Sequence, residues 1–407
     1  MKKKKILLSA YACEPNKGSE PGVGWNWAIQ LSKMGHNVKI VTRRNNKKMI
    51  EENLNEFIPL KKENFYYFDL PNIIQKIKKK IPGGIHFYYY LWQYFIYKKL
   101  KKESFINEIE IIHHITFGVF RIPSFLWKFN KKFIFGPVGG YELMPKGIFK
   151  ELSLTNMVIE SLRILSNFFF IKFDKNLKKC VENSNFFFVK STETKKNLKK
   201  IYNKKIIQKF EIGTGTNFYF KRKKHNKSRI KILYVGRLLY WKGVDILIDA
   251  FNLAIKKNVG LTLTICGKGE EIKRLKKKSY ELKINNKTKF ITSKNSKIRK
   301  IYNSHDLLVF PSSHDSSGNV LLEALSSSMP VICLDTGGPA DIINDTCGIK
   351  IPVKNKYNKD FYIKKISREI VKLCKDKKRY DKLSEGAFVR AKSLAWKKVV
   401  DNVYKVI

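Results

Sequence analysis

The sequence predicts an α/β protein built from two doubly wound domains. The chain opens with a strand, a glycine-bearing loop, a helix, a glycine and a second strand, and the same order begins again near residue 230. This order is typical of a parallel βαβ unit, so two such starts indicate two Rossmann-like domains. The length of 407 residues also suits two domains of ordinary size.

The first βαβ pattern lies at the N-terminus. Residues 6–10 form an apolar run that predicts a strand, and residues 11–24 are rich in Gly, Pro and Ser. Apolar residues at helical spacing predict a helix over 25–34, which Gly35 ends before a second strand at 38–41. The opening apolar run is too short for a secretory signal, and we expect no membrane-spanning helix because no run reaches about 18 apolar residues.

The second pattern predicts a strand at 232–235, a loop at 236–243, a helix at 246–255 and a strand at 261–266. Few apolar periodicities occur between Asn203 and Ser228, which places a domain boundary near 205–225.

Three segments follow from these patterns and from the apolar spacing after Tyr380. Residues 1–210 are predicted to form the first Rossmann-like domain and residues 211–385 the second. Residues 386–407 are predicted to form a C-terminal helix that packs back on the first domain.

Composition limits the class of protein. Lys and Arg number 82 against 34 Asp and Glu, giving a formal net charge of +48 that favours polyanions or an anionic membrane face, although a general compositional bias explains part of it. The six cysteines lie far apart without a CxxC pair, as expected of a reduced, cytoplasmic chain without a zinc site. No zinc-finger, RRM or helix-turn-helix signature indicates a nucleic-acid partner.

Two segments combine aromatic and basic residues, residues 87–102 and residues 168–173. An aromatic and basic helix in a membrane interface has this composition. A core helix with Lys at its rim has it as well, and both interpretations stay open at this point.

The richest candidate site lies in residues 310–338. A predicted strand at 307–310 leads through a loop to a helix that begins with Gly318, Asn319 and Val320, whose backbone N–H groups suit a phosphate. Asp315 precedes this helix, and Glu323 lies inside it.

Two cations occupy the corresponding place after the strand at 232–235. Arg237 follows Gly236, and Lys242 follows five residues later. Cations at the ends of parallel strands, facing a helix N-terminus, can neutralise a diphosphate that gains charge as a bond breaks.

These motifs carry a family resemblance. VGRLLYWKGVDILIDAF, CGKGEE and SHDLLVFPSSHDSSGNVLLEALSSSMPVI followed by GG resemble the donor-binding half of the family-4 retaining glycosyltransferases of the GT-B fold. KGSEPGVGWNWAIQLSKMGHNVKIVT is similar to the acceptor-domain opening of that family, and residues 45–185 match more loosely. The resemblance implies two Rossmann-like domains facing across a cleft.

The resemblance also implies roles for matching positions. Arg237 and Lys242 would hold the donor diphosphate, Glu323 would bind the nucleotide ribose, and the amides of Gly318, Asn319 and Val320 would face phosphate and sugar. Gly18 and Ser19 match the family's glycine pair in the first loop, where backbone comes close to the donor phosphate.

One position departs from the family pattern. The family has two glutamates with seven residues between them, and here Asp315 and Glu323 have that spacing. In the family, the first carboxylate usually contacts a hydroxyl of the donor sugar. Because the side chain of Asp315 is shorter than that of glutamate, the identity of the donor sugar stays undecided.

The family also places a histidine after an acceptor-domain strand. IEIIHHITFG offers His113 and His114, between which the sequence does not decide, and a structural role for such a strand-end histidine stays open. The glycine loop at 135–140 is expected to shape the acceptor side, and His314 beside Asp315 is a further candidate.

The resemblance implies a retaining transferase that needs no metal or other cofactor. A nucleotide sugar would donate a hexose-type sugar to a glycan or lipid-linked acceptor, and the leaving diphosphate would itself take the proton of the incoming hydroxyl. We expect a cytoplasmic protein in cell-surface polysaccharide synthesis, with an anionic membrane surface on the inner face as a candidate partner. The alternative is a glycoside hydrolase or phosphorylase that uses Asp315 and Glu323 as its carboxyl pair.

Overall fold

The computed structural model describes residues 2–55, 58–78, 83–215, 219–221, 230–257, 260–293 and 295–407. The chain divides into two compact units. The first unit contains Met1–Tyr141, Ile164–Glu211 and Val399–Ile407, and the second contains Glu142–Arg163 and Ile212–Lys398. The boundary predicted near 205–225 lies partly in residues 216–218 and 222–229, outside the described residues.

The first unit is built on a parallel sheet in which, within the described ranges, seven strands pair in the order β3-β2-β1-β4-β5-β6-β7. The strands are β1 Lys5–Ser9, β2 Asn37–Arg43, β3 Phe65–Phe68, β4 Ile111–His114, β5 Lys132–Val138, β6 Phe186–Val189 and β7 Ile206–Gln208. They are rich in Ile, Val and Phe and mostly buried, as strands covered on both faces must be.

The second unit has a parallel sheet in which six strands pair, among the residues described, in the order β10-β9-β8-β11-β12-β13. The strands are β8 Ile230–Val235, β9 Leu261–Cys266, β10 Thr288–Ile291, β11 Leu307–Phe310, β12 Val331–Leu334 and β13 Gly348–Ile351.

Helices connect successive strands of each sheet. The helices before β8 are α1 Ser19–Lys33, α2 Lys47–Glu51, α3 Asn72–Ile77, α4 Gly84–Leu100, α5 Lys146–Phe149, α6 Leu154–Phe173, α7 Lys175–Glu182 and α8 Thr192–Leu198. Those after β8 are α9 Val244–Ile255, α10 Ile272–Glu281, α11 Asn295–Asn303, α12 Asn319–Ser326, α13 Gly337–Ile342, α14 Lys359–Lys375, α15 Lys377–Ser393 and α16 Trp396–Tyr404.

Both sheets reverse their direction of growth once. The first sheet grows outward from β1 through β2 to β3 and then restarts at β4 beside β1, and the second does the same from β8, with β11 on its other side. Ligands of open α/β sheets bind at the carboxyl ends of the strands where this reversal occurs. The predicted fold class, two doubly wound α/β domains, is confirmed.

The first helix begins earlier than predicted. The glycines that suggested a loop over 11–24 belong partly to α1, where they let the helix pack against the preceding chain. A Cβ on Gly22 would lie 2.2 Å from the carbonyl oxygen of Lys17, and one on Gly24 would lie 2.1 Å from that of Ala12. Close approach of backbone, and not turn formation, explains these two residues.

The C-terminal segment predicted as one helix forms two, α15 and α16. Of residues 386–407, Val399–Ile407 belong to the first unit and the preceding residues to the second.

The two aromatic segments have different surroundings. Helix α4 is a core helix on one side, where Tyr88, Tyr89, Trp92 and Ile96 are fully or almost fully buried. Residues 168–173 at the end of α6 are mostly exposed. The core interpretation therefore fits the buried side of α4 and does not fit the end of α6.

The expectation of no membrane-spanning helix stays a prediction, although one helix passes the test of length and composition. Helix α6 has 20 residues and is, within the described residues, the one helix long and apolar enough to cross a membrane by length and composition. The sequence-based count missed it because Glu160 and Arg163 interrupt the apolar run.

Candidate functional site

The candidate site lies in the second unit, where the loops after β8 and β11 meet at the point of reversal. Gly243 has a φ of +66°, and a Cβ there would lie 2.2 Å from the carbonyl oxygen of Pro311. The carbonyl of Trp241 accepts hydrogen bonds from the Ser313 backbone N–H at 2.9 Å and from the Ser313 hydroxyl at 3.0 Å. Glycine at position 243 is therefore required for the two loops to lie in contact.

Lys242 and Asp315 form the central ion pair. The Lys242 ammonium lies 2.7 Å from Asp315 Oδ1 and 2.6 Å from Oδ2, and its nitrogen lies 5.4 Å from the centre of the Phe310 ring. Lys242 is 9% exposed. A buried ammonium needs such a carboxylate, and the structure thus joins two residues that the sequence treated separately.

Arg237 is arranged differently from Lys242. Its side chain is exposed, and its carbonyl accepts a hydrogen bond of 3.0 Å from the buried hydroxyl of Tyr234. The backbone of Arg237 is thereby fixed while its guanidinium reaches into solvent.

Helix α12 begins at Asn319 with Gly318 as its N-cap, and no side chain caps this terminus. A Cβ on Gly318 would lie 2.7 Å from Leu321 Cδ1, so the absence of a side chain keeps the first turn uncrowded. The first N–H groups of a helix carry partial positive charge, and here they adjoin the loop that contains Asp315.

Glu323 lies in the second turn of α12. It accepts a hydrogen bond of 2.7 Å from the hydroxyl of Tyr302, a fully buried residue of α11. Burial raises the pKa of Glu323 to about 7, and the hydrogen bond from Tyr302 opposes that rise. Sequence reasoning missed Tyr302, because a tyrosine at the end of an amphipathic helix gives no signal of its partner.

The loop between β11 and α12 is held by the start of α13. Gly338 N–H donates to the carbonyl of Asp315 at 2.7 Å. A Cβ on Gly337, which has a φ of +59°, would lie 2.2 Å from the same oxygen. Glycines at 337 and 338 thus fix the backbone on which Asp315 stands.

Residues 142–163 bring two buried glutamates to the same loop. The carboxylate of Glu142 accepts a hydrogen bond of 2.8 Å from the Ser316 hydroxyl. Glu160, fully buried, is held by Arg163 at 2.6 Å and by the Tyr240 hydroxyl at 3.2 Å. His314 Nε2 lies 3.2 Å from the carboxylate of Glu160, an ion-pair distance without hydrogen-bond geometry.

These contacts have electrostatic consequences. Although burial by itself raises the pKa of Glu160, His314 and Arg163 lower it to about 2, so Glu160 is ionised. The ring of His314 stacks on Trp241, with ring centres 5.5 Å apart. Glu142 and Glu160 were missed by the sequence analysis.

His113 and His114 end β4 in the first unit and are both buried. His113 Nε2 lies 2.8 Å from the Gly136 carbonyl oxygen and Nδ1 lies 3.0 Å from the Tyr404 hydroxyl. His114 Nε2 lies 3.2 Å from the Tyr89 hydroxyl, whereas its buried Nδ1 has no hydrogen-bond partner among the described residues. Burial lowers the pKa of His113 to about 4 and that of His114 to about 3, so both rings are neutral at pH 7.

Gly18 and Ser19 lie at the start of α1 in the first unit. Gly18 is the N-cap, and a Cβ at this position would meet nothing within 4 Å, whereas Ser19 has a φ of +58°. Ser19, and not Gly18, therefore has the left-handed backbone conformation that glycine adopts most easily.

A buried lysine that the sequence did not single out lies in the same unit. Lys190 is within 2.6 Å of the Glu211 carboxylate and 3.2 Å of the Glu20 carboxylate. Although burial alone lowers the pKa of Lys190, the two carboxylates raise it above its usual value.

No group of three His, Cys, Asp or Glu side chains placed to hold a metal ion occurs in the described ranges.

The family comparison falls within the second unit. Residues 216–390 match the family model described as glycosyl transferases group 1. This span contains Arg237, Lys242, Asp315 and Glu323 and excludes Glu142 and Glu160.

The curated relatives are transferases matched over part of their length. An uncharacterised glycosyltransferase of Methanocaldococcus jannaschii is 35% identical over 30% of this chain and 32% of its own length. A capsular polysaccharide biosynthesis glycosyltransferase, CapM of Staphylococcus aureus, is 28% identical over 35% of this chain and 36% of its own length. The chain thus spans about a third of the length of these relatives.

Solved structures resemble the chain over nearly its full length. Sucrose-phosphate synthase from Thermosynechococcus elongatus has a TM-score of 0.67 and 15% identity, covering 99% of this chain and 98% of that one. Anabaena HepE, solved with UDP and glucose, has a TM-score of 0.61 and 13% identity, with 99% of each chain covered. At this identity the likeness shows the two-domain GT-B fold.

Proposed function

We propose that the chain is a retaining, metal-independent glycosyltransferase that takes a hexose-type sugar from a nucleotide sugar, because residues 216–390 match the family model described as glycosyl transferases group 1. The observation that carries the proposal is the meeting of Lys242, Asp315 and the uncapped start of α12 at the reversal point of the second sheet. The proposed acceptor is a glycan or a lipid-linked sugar.

The diphosphate is assigned to Arg237, Lys242 and the amides of Gly318, Asn319 and Val320. An ammonium has three N–H donors, and in Lys242 two of them point to the oxygens of Asp315. The third donor and the exposed Arg237 guanidinium supply positive charge to the phosphates. Such fixed charges stabilise a diphosphate that becomes more negative as its bond to the sugar breaks.

The sugar is assigned to Asp315 and the ribose to Glu323. Asp315 is fixed by Lys242 at its carboxylate and by Gly338 at its carbonyl, so it offers its remaining lone pairs to a sugar hydroxyl in one orientation. Glu323 is oriented by Tyr302 through one oxygen, which leaves the other to accept from ribose hydroxyls. Two cations in the loop after β8 and two carboxylates, one in the loop after β11 and one in α12, therefore match the parts of a nucleotide sugar.

The proposed transfer breaks the bond between the anomeric carbon and the diphosphate oxygen and forms a bond from that carbon to the acceptor oxygen on the same face. The acceptor proton goes to an oxygen of the leaving diphosphate. The chain then supplies position and charge, without a metal or other cofactor.

The catalytic assignment of His113 or His114 rests on the resemblance alone. His114 is the better candidate of the two, since both ring nitrogens of His113 have partners and Nδ1 of His114 has none within the described residues. Gly18 and Ser19 are proposed to serve donor phosphate binding on the same basis.

The alternative of a glycoside hydrolase or phosphorylase is not favoured. The matched family and the curated relatives named above are glycosyl transferases. Asp315 is also bound by an ammonium that a hydrolase of neutral glycosides has little use for.

The setting of the reaction is proposed from the relatives and the composition. A role in cell-surface polysaccharide synthesis is in keeping with the similarity to CapM. A cytoplasmic location is in keeping with six free cysteines, five of them buried.

The proposal is tested with the purified full chain and a panel of nucleotide sugars, using water as a slow acceptor. We expect one donor to release a sugar whose first detected anomer, followed by NMR, has the configuration of the donor. We also expect the rate to be unchanged by EDTA. An inverted anomer would refute retention, and a strict requirement for Mg²⁺ or Mn²⁺ would refute the cationic diphosphate site.

A further inference from the structure

Helix α6 turns its apolar side chains to solvent. Six of them define what we call the outer face of α6, and they are between 53% and 82% exposed: Leu154, Val158, Leu162, Leu165, Phe168 and Phe169. Their spacing of three and four residues places them on one side of a helix of 20 residues, about 30 Å long. A stripe of this length is larger than the scattered apolar residues of an ordinary protein surface.

The opposite side of the helix carries two fully buried polar residues, beside Phe170 and Ile171, which are partly buried against the core of the first unit. Glu160 is fully buried and held by Arg163 and Tyr240 within the second unit. Asn167, also fully buried, donates to the Gly140 carbonyl at 3.1 Å and accepts from Arg121 at 2.8 Å within the first unit.

This arrangement reverses the usual pattern of a surface helix. Water-facing helices bury their apolar stripe and expose their polar one, because burial of apolar surface is the main favourable contribution to packing. In α6 the polar side chains have fixed partners inside the protein, so the helix cannot rotate to hide its outer face without breaking them. The core of neither unit covers the outer face, so another surface must cover it.

The ends of α6 indicate the chemistry of the cover. Exposed Lys146 and Lys150 precede the helix, and exposed Lys172, Lys175 and Lys178 end or follow it. The Lys172 ammonium lies 5.5 Å from the ring centres of both Phe168 and Phe173, so it extends beside the aromatic end of the outer face.

Among the acids near these lysines, Glu182 lies 3.9 Å from the Lys178 ammonium, and two others accept hydrogen bonds from backbone N–H groups. The Glu151 carboxylate accepts from the backbone N–H of Lys359, and the Asp174 carboxylate accepts from the first N–H groups of α7. An apolar face with cations at both ends is complementary to acyl chains bordered by anionic headgroups.

We infer that the outer face of α6 is a docking surface for an anionic lipid bilayer. The helix lies in the membrane interface with Leu162, Leu165 and Phe169 among the acyl chains and its lysines at the headgroups. It does not span the bilayer, because Glu160 and Asn167 keep its other side on the protein. The inference does not depend on the sugar chemistry proposed above and adds a membrane partner to it.

The test is flotation of the full chain with vesicles of phosphatidylcholine alone and of phosphatidylcholine mixed with phosphatidylglycerol. We expect the wild-type chain to float with the anionic vesicles and the triple variant Leu162→Gln/Leu165→Gln/Phe169→Gln to lose at least about tenfold in partitioning. Glutamine keeps helix propensity and removes apolar surface without adding charge.

The matched control is Tyr280→Gln/Val389→Gln, which removes exposed apolar side chains from α10 and α15. It should float like the wild type. If the wild type ignores anionic vesicles, or if the triple variant and the control bind equally, the inference is wrong. It is also wrong if light scattering shows a lipid-free dimer that the triple variant dissociates, since a second copy would then cover the face.

A single variant keeps the test valid should the triple variant fail to fold. Phe169→Trp is expected to show a blue-shifted emission with anionic vesicles and quenching by lipids brominated on the acyl chain, relative to the wild-type background. Tyr280→Trp should show neither. Equal, unquenched emission from both would overturn the inference independently of flotation.

Discussion

Lys242 is proposed to bind the donor diphosphate, and it also forms a nearly buried ion pair. Its ammonium is nearly buried, and Asp315 contacts it with both carboxylate oxygens at 2.6 and 2.7 Å. Loss of Asp315 would leave a buried ammonium unpaired, and loss of Lys242 would leave a partly buried carboxylate unpaired. Arg237, by contrast, is exposed and is expected to matter only when a phosphate is present.

We predict that Arg237→Ala and Lys242→Ala each lower sugar transfer by at least about a hundredfold, because each removes a positive charge from the leaving diphosphate. Thermal unfolding should separate them, since only Lys242→Ala is expected to destabilise the folded chain. The controls are Arg368→Ala, an exposed arginine of α14, and Lys359→Ala, which breaks a comparable ion pair with Asp245. Transfer that stays unchanged in Arg237→Ala would remove that residue from the site.

The raised pKa of Glu323 leads us to expect that the affinity for the nucleotide sugar depends on pH. Its pKa is raised to about 7 by burial, with Tyr302 opposing the rise, and ribose hydroxyls bind best to the ionised form. We therefore expect KM for the nucleotide sugar to rise as pH falls through 7, approaching about tenfold per pH unit. Glu323→Gln should have a higher KM that does not change over this range, with a smaller effect on kcat.

Glu323 also determines how the stability of the unliganded chain changes with pH. A carboxyl whose folded pKa lies above its unfolded value binds more protons when folded, so the free energy of unfolding falls as pH rises from about 4.5 to about 7. A wild type whose KM is flat between these values would contradict the expectation for donor binding, and a free energy of unfolding that does not fall would contradict the expectation for stability.

Among the secondary-structure elements, strand β4 contains two histidines whose effect on the pH dependence of the free energy of unfolding is opposite to that of Glu323. His113 and His114 have folded pKa values of about 4 and about 3 against 6.5 unfolded, so the unfolded chain takes up protons first. The free energy of unfolding is expected to fall as pH drops below 6.5 and to keep falling to about 4. The measurement is the thermal midpoint across this range.

The double variant His113→Gln/His114→Gln should lack this dependence, whatever its stability at neutral pH. A midpoint that changes equally with pH in the wild type and in the double variant would show that the histidines titrate normally in the folded chain.

Elements with strong local patterns were predictable from the sequence. Strands β9, β11 and β12 begin and end where the apolar runs do, and the start of α12 lies one residue from its predicted position. Helix α1 was placed too late, because Gly22 and Gly24 serve helix packing and sequence alone does not distinguish that use from a turn. Helix α6 was missed as a unit because its polar residues face inward, against the usual rule.

At the scale of the whole molecule, the two-domain fold followed from one repeated pattern, whereas the assignment of residues 142–163 to the second unit did not. Glu142 and Glu160 reach the loop of Asp315 through long-range packing, and the local sequence around them carries no sign of it. The cations and carboxylates of the candidate site were predictable because they follow strand ends. Their partners, Tyr302 above all, required coordinates.

The net charge of +48 is a property of the whole chain. Lysines spread over the surface attract anions in general, so charge alone does not select a nucleotide or a membrane. We propose that the nucleotide is selected by the site formed by the loops after β8 and β11 and the membrane by the outer face of α6, because charged side chains at both places adjoin fixed geometry.

The most direct measurement is calorimetric binding of a nucleoside diphosphate and of the matching monophosphate to the wild type, Arg237→Ala and Glu323→Gln. We predict tighter binding of the diphosphate to the wild type, loss of that preference in Arg237→Ala, and weaker binding of both ligands with the preference kept in Glu323→Gln. Equal affinities of the wild type for the two ligands, or a preference that survives Arg237→Ala intact, would contradict the assignment of this loop pair to a departing diphosphate.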